Sequence, residues 1–147
     1  MGIREEMPLL ARHEGDWKGT YTYVDPSGKV IDKHTSFITN SFPNVGEFAY
    51  HQTNRYTWDD GKKQEIEFPA TYKEGKIYFD TERLVGHAWE VDERTIVLTW
   101  RYVHAPQEYL YEMIQLDDSG THRHRTWHWF KDGVCYQRTL IDEERVK

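Results

Sequence analysis

Residues 50–72 read YHQTNRYTWDDGKKQEIEFPATY. Two runs flank Asp59-Asp60-Gly61, and within each run alternate positions are alike. Tyr50, Gln52, Asn54 and Tyr56 fall on one side of the first run; Ile66, Phe68 and Ala70 fall on one side of the second. Alternate residues of a strand point to opposite faces, and directly opposed residues of a hairpin share a face. A three-residue loop with Gly61 in the left-handed position keeps both faces consistent. Asn54 then lies opposite Ile66, Gln52 opposite Phe68 and Tyr50 opposite Ala70.

The same reading extends along the chain. Turn signals recur at Asp25-Pro26-Ser27-Gly28, Glu74-Gly75, Asp118-Ser119-Gly120 and Asp132-Gly133. Between them lie runs rich in Tyr, Trp, Val, Ile and Thr, which predict strands over 17–24, 29–40, 47–58, 62–72, 76–82, 84–91, 95–103, 108–116, 121–131 and 134–142. Only Ile3–His13 reads as helix. A two-residue Asp132-Gly133 turn sets Trp129 opposite Tyr136, Trp127 opposite Arg138 and Arg125 opposite Leu140. The Asp117–Gly120 loop sets Leu110 opposite Trp127 and Glu112 opposite Arg125. A Glu93-Arg94 turn sets Trp89 opposite Leu98, His87 opposite Trp100 and Val85 opposite Tyr102. The 25–28 turn leaves the facing of the second strand open. A meander of about ten such strands closes most simply into an up-and-down barrel, which removes exposed edges. The expected fold is therefore all-β, a single antiparallel barrel spanning residues 1–147, with a short N-terminal helix.

Composition agrees with one soluble domain. The chain has 147 residues, 15% aromatic, with a formal net charge of -6. That acidic balance argues against general nucleic-acid binding, which needs a basic stripe. No apolar run approaches the length of a membrane span. A cytoplasmic protein is the expectation, and a homodimer is left open. The lone cysteine, Cys135, excludes an internal disulfide and a cysteine-rich zinc site.

The inner-face assignment places polar groups where burial is expensive: Gln52, Asn54, His87, Glu112, Arg125 and Arg138. Each needs a partner or a ligand. Glu112 and Arg125 form a natural ion pair that either holds strand register or anchors a ligand carboxylate, which the planar guanidinium suits. His87 reads as a satisfied core histidine, as a general acid or base, or, as a minor alternative, as the single axial ligand of a haem. Gln52 and Asn54 orient a ligand's polar group or hydrogen-bond within the lining. His122, His124 and His128 share a strand face, but 124 and 128 stand about 13 Å apart, too far to share an ion, so no metal is expected. No nucleophile elbow or phosphate loop occurs.

Gly15-Asp16-Trp17 after the short helix resembles the G-x-W start of lipocalins and other calycins. In that superfamily the Trp plugs the closed end of the barrel and an Arg from the last strands packs over it; Arg138 or Arg125 could match. More of the chain is similar to a bacterial lipocalin-like family known only as a domain of unknown function. The stretches that carry this are Gly15–Tyr21, Tyr50–Asn54, Phe68–Tyr72 and Arg125–Phe130. The resemblance implies the fold and no activity.

Two functions follow. The first is binding of a small, largely apolar or aromatic molecule with a polar or anionic end, lined by Tyr50, Gln52, Asn54, Trp89, Trp100, Tyr102, Trp127, Trp129 and Arg138. No cofactor is required. The second is an isomerase, cyclase or dehydratase on the same barrel, with His87 and Glu112 moving protons and Arg125 stabilising negative charge.

Overall fold

A computed structural model describes residues 2–147. Two one-turn helices, α1 (Ile3–Glu6) and α2 (Pro8–Ala11), precede ten strands: β1 (Gly15–Val24), β2 (Val30–Ser41), β3 (Tyr50–Thr57), β4 (Lys63–Lys73), β5 (Lys76–Asp80), β6 (Leu84–Glu90), β7 (Thr95–Tyr102), β8 (Glu108–Leu116), β9 (His122–Lys131) and β10 (Val134–Arg145). Each strand pairs antiparallel with its neighbours in sequence, and β1 pairs with β10 to close the barrel. The expected helix over Ile3–His13 is broken at Met7, whose backbone is non-helical (φ -127, ψ 65). Pro8 follows it, and the residue before a proline is driven out of the α region by the ring.

The β3–β4 hairpin has the expected register, with Asn54 opposite Ile66, Gln52 opposite Phe68 and Tyr50 opposite Ala70. Its loop closes through Trp58 N–H donating to Lys62 C=O at 2.9 Å, with Gly61 at φ 90. Tyr72 lies opposite Ile77 across the tight turn at Glu74-Gly75, as expected.

Three hairpins differ from expectation. The β8–β9 register is displaced by two residues, so Glu112 lies opposite Trp127 and Ile114 opposite Arg125. A displacement of two leaves every side chain on its face, and Glu112 and Arg125 still meet diagonally.

The β6–β7 register is displaced by one. Val91 N–H donates to Thr95 C=O at 3.0 Å, and Asp92 Oδ1 accepts from Arg94 N–H at 2.8 Å. The loop is therefore three residues, not two, and β6 is inverted. His87 and Trp89 lie on the outer wall, where His87 stacks between Tyr78 and Trp89 with ring centroids 5.9 and 5.1 Å away. Leu84, Gly86 and Ala88 take the inner positions instead.

The β9–β10 hairpin begins in register, with Cys135 opposite Phe130, then shifts so that Gln137 lies opposite Trp129. The extra residue turns Arg138 outward, exposed and opposite His128, and brings Thr139, Ile141 and Glu143 inward. Neither Arg138 nor Arg125 covers Trp17. That buried indole is flanked by the guanidinium carbons of Arg123 and Arg145, at 4.4 and 4.5 Å from its ring.

Candidate functional site

The barrel interior is stratified. At the closed end Trp17 Nε1 donates to the His13 carbonyl at 2.9 Å. Arg123 Nε donates to Glu143 Oε1 at 2.7 Å, and its Nη1 reaches His13 Nδ1 at 3.1 Å and Asn40 Oδ1 at 3.0 Å. One layer higher, Arg125 Nε donates to Glu112 Oε2 at 2.6 Å, and its Nη1 donates to the Tyr21 hydroxyl at 3.0 Å and Glu143 Oε1 at 3.3 Å. Two arginines and two glutamates, all buried, thus form one charge-balanced network. Its geometry offsets the desolvation of four ions, because each charge faces its opposite and Nε and Nη1 of both guanidinium groups find acceptors within the network. The two guanidinium groups hold the Glu143 carboxyl below its usual range against the opposing effect of burial.

A hydrogen-bonded ladder climbs from this network along the inner face of β3. Asn40 Nδ2 donates to the Tyr50 hydroxyl and, at 3.1 Å, to Gln52 Oε1. Tyr50 donates to Gln52 Oε1 at 2.8 Å, Gln52 Nε2 to Asn54 Oδ1 at 2.8 Å, and Asn54 Nδ2 to the Tyr56 hydroxyl at 2.8 Å. Alternate residues of one strand share a face, so one strand supplies all four side chains. Burial pushes the Tyr50 hydroxyl up to about 12, so it remains a donor.

Above the network lie two adjacent hollows. An inner chamber of about 40 Å³ is bounded by Glu112 and Arg125 below, by Gln52 and Asn54 on one side, and by Phe79, Leu98 and Ile114 on the other. A vestibule of about 240 Å³ lies beyond it, walled by Tyr23, His34, Tyr56, Trp58, Trp100, Tyr102, Trp127 and Trp129. Phe68, Trp100 and Trp127 border both hollows and form a waist between them. The indoles of Trp100 and Trp127 each meet Trp129 edge to face, at 5.6 and 5.5 Å between centroids. Arg83 stands at the mouth with its guanidinium 5.6 Å from the Phe68 ring and takes part in no ion pair among the described residues. Wider grooves of about 500 and 440 Å³ run over the outer wall, between exposed strand residues such as Lys18 and His124 or Arg55 and Lys63.

The structure gathers Gln52, Asn54, Trp100, Tyr102, Glu112, Arg125, Trp127 and Trp129 around these hollows, with Tyr50 in the ladder beneath. It does not bring His87, Trp89 or Arg138 to them, and His87 on the outer wall has no access to a ligand inside. Asp32, His34, Arg83 and Glu143, polar groups of the wall, mouth and floor, had no sequence signal. Asp32 and His34 belong to the strand whose facing the 25–28 turn left open, Glu143 lies beyond the β10 bulge, and Arg83 occupies a short loop. Asp32-Lys33-His34-Thr35-Ser36 reads as a polar stretch, yet His34 and Ser36 are buried. Asp32 accepts from Trp58 Nε1 at 3.0 Å, and its Oδ2 lies 3.0 Å from His34 Nδ1. Among the described residues no group of three His, Cys, Asp or Glu has metal-site geometry, and no helix is long and apolar enough to cross a membrane.

A search of curated proteins finds no match. Among solved structures the chain is similar to an S-type phycobiliprotein lyase, CPES, from Guillardia theta, with TM-score 0.74, 16% identity, and coverage of 100% of this chain and 94% of that one. It is similar to Rv2717c from M. tuberculosis, with TM-score 0.69, 12% identity and coverage of 97% and 98%. A DUF3598 family protein of unknown function from Nostoc punctiforme aligns with TM-score 0.72 and 19% identity over 93% of this chain. The chain spans 49% of the length of that Nostoc protein. At these identities the likeness shows the fold alone, a closed ten-stranded antiparallel barrel. Residues 5–147 match the model of the N-terminal DUF3598 domain, a domain of unknown function, and the chain belongs to that family.

Proposed function

We propose that the barrel binds a small, flat aromatic molecule with a polar or anionic end. The observation that carries this is the vestibule of about 240 Å³, in which four indoles and three phenols surround space instead of filling it. Aromatic walls with a few convergent polar groups are the usual composition of a small-molecule pocket. The charged floor is closed on itself: Arg125 is shared between Glu112 and Glu143 and has no surplus charge to offer. An anionic end is better met at the mouth by Arg83, whose charge is not neutralised by an ion pair. The ring enters first and the anion stays at the rim, where its desolvation is least.

The test is a titration with 2-naphthoate followed by indole fluorescence. Saturable quenching is expected in the wild type. Arg83→Ala should weaken the interaction roughly three- to tenfold without changing the melting temperature, because the residue is exposed and its charge acts near the surface. Absence of saturable binding overturns the reading.

A further inference from the structure

Two buried polar atoms of the vestibule wall have no hydrogen-bonding partner among the described residues: His34 Nε2 and Trp127 Nε1. The His34 side chain is 3% exposed. An unpaired buried polar atom costs free energy that a ligand can recover. The two rings also belong to one assembly. His34 stacks on Tyr21 with centroids 5.1 Å apart, and Trp127 meets the same Tyr21 edge to face at 5.4 Å.

The chemistry of each atom is fixed by its surroundings. Trp58 Nε1 donates to both oxygens of Asp32, at 3.0 and 3.2 Å, and so holds that side chain as an acceptor. Asp32 Oδ2 lies 3.0 Å from His34 Nδ1. The ring proton therefore belongs on Nδ1, and a neutral His34 presents a bare lone pair at Nε2. Burial drives the His34 pKa below its usual value, against the pull of Asp32, which keeps the ring neutral. Trp127 Nε1–H can only donate.

We propose that Asp32, His34 and Trp127 form a donor–acceptor reader in the vestibule, which selects an aromatic ligand carrying a hydroxyl or ring N–H: His34 Nε2 accepts its proton, and Trp127 Nε1 donates to an oxygen or carbonyl of the same ligand. The inference rests on the vestibule as a binding site and adds the chemical class it prefers. Asp32 acts through His34 and is a positioning residue.

Two probes of nearly the same shape separate the terms: 2-naphthol, which carries a hydroxyl proton, and 2-methoxynaphthalene, which does not. The wild type should prefer 2-naphthol by about fivefold, the worth of one net hydrogen bond. His34→Phe should bring the ratio of the two affinities to about one, whatever it does to either affinity alone. Trp127→Phe should weaken both probes alike, since both carry the accepting oxygen. Asp32→Asn should also remove the preference: an amide that donates to Nδ1 moves the ring proton to Nε2 and turns the acceptor into a donor. Circular dichroism melts of each variant separate loss of folding from loss of selectivity. Binding of both probes with equal affinity in the wild type, or a preference that survives in His34→Phe, overturns this inference and leaves the binding reading standing. Binding of neither probe overturns this inference, and the binding reading falls with it only if 2-naphthoate also fails to bind. Should His34→Phe fail to fold, Asp32→Asn alone decides: an unchanged preference refutes the reader.

Discussion

At the scale of single residues, the buried ions decide stability and the histidines decide its pH dependence. Arg125 neutralises Glu112 and shares Glu143 with Arg123. Arg125→Leu strands Glu112 in the interior and should cost about 3 to 5 kcal/mol; adding Glu112→Gln removes the stranded charge and should restore much of it. Chemical denaturation of the single and double variants measures both. His13 Nδ1 lies against Arg123, and burial together with the surrounding guanidinium groups holds its pKa well below 6.5. The unfolded chain takes up a proton near 6.5 that the folded chain refuses, so stability falls as pH drops below that value. His34 adds a second, weaker contribution of the same sign. Glu143 acts in a separate, lower window, because its lowered pKa gives stability that is present above about 4.5 and lost as pH falls further. His13→Gln should flatten the stability–pH curve between about pH 6.5 and 5, by up to about 1.4 kcal/mol per pH unit, and leave it unchanged above pH 7. A curve of unchanged slope would refute this assignment. The Glu112–Arg125 pair was legible in the sequence because opposite charges on one apolar strand face have few other solutions. The His34 site was not, because three alternating polar side chains on β2 carry the same pattern whether they face water or a polar interior.

At the scale of elements, the loops determine which side chains reach the cavity. The Asp59-Asp60-Gly61 loop was legible because a Gly at the left-handed position admits one hairpin geometry that keeps both faces consistent. The Asp92-Glu93-Arg94 loop has no such glycine, so its length could not be read, and one added residue moved His87 and Trp89 from inside to outside. The β10 bulge likewise has no local marker and sent Arg138 outward. Gly86 is a retrospective sign of the true β6 facing. A Cβ there would come within 2.1 Å of the Thr99 carbonyl oxygen and 2.4 Å of Trp100 Cβ. The backbone of β6 can approach Trp100 only because that atom is missing. Gly86→Ala should therefore destabilise by at least about 1 to 3 kcal/mol, as overpacking does, against an expected gain in backbone entropy of less than about 1 kcal/mol. Because β6 would have to move away from Trp100, quenching by 2-naphthoate should weaken in parallel. Thermal melts and the same fluorescence titration check both effects, and an unaffected or stabilised Gly86→Ala would mean that the strands do not meet there as described.

At the scale of the whole molecule, closure turns ten strand faces into one interior, and the waist divides that interior by use. Trp17 on β1 pairs with Arg145 on β10, so the first and last strands seal the barrel where the buried ions lie. The ions give the floor rigidity at the cost of four desolvated charges, and the aromatic vestibule keeps the open volume. Phe68 sits at the boundary: it borders both hollows, meets Phe79 edge to face at 6.4 Å and carries the Arg83 guanidinium on its ring. Shortening it should merge the chambers without touching Glu112 or Arg125. Phe68→Ala is expected to cost up to about 3 kcal/mol, at the low end for a phenylalanine because the side chain is only half-buried. A three-ring acid such as anthracene-2-carboxylate should gain affinity relative to 2-naphthoate in this variant, since the added ring can pass the waist toward Leu98 and Ile114. The wild type should show the reverse order, because the inner chamber of about 40 Å³ lies behind the aromatic waist. If the two acids keep the same ratio in both proteins, Phe68 is not the boundary of the binding space, and the ligand sits at the rim beside Arg83 without entering the barrel.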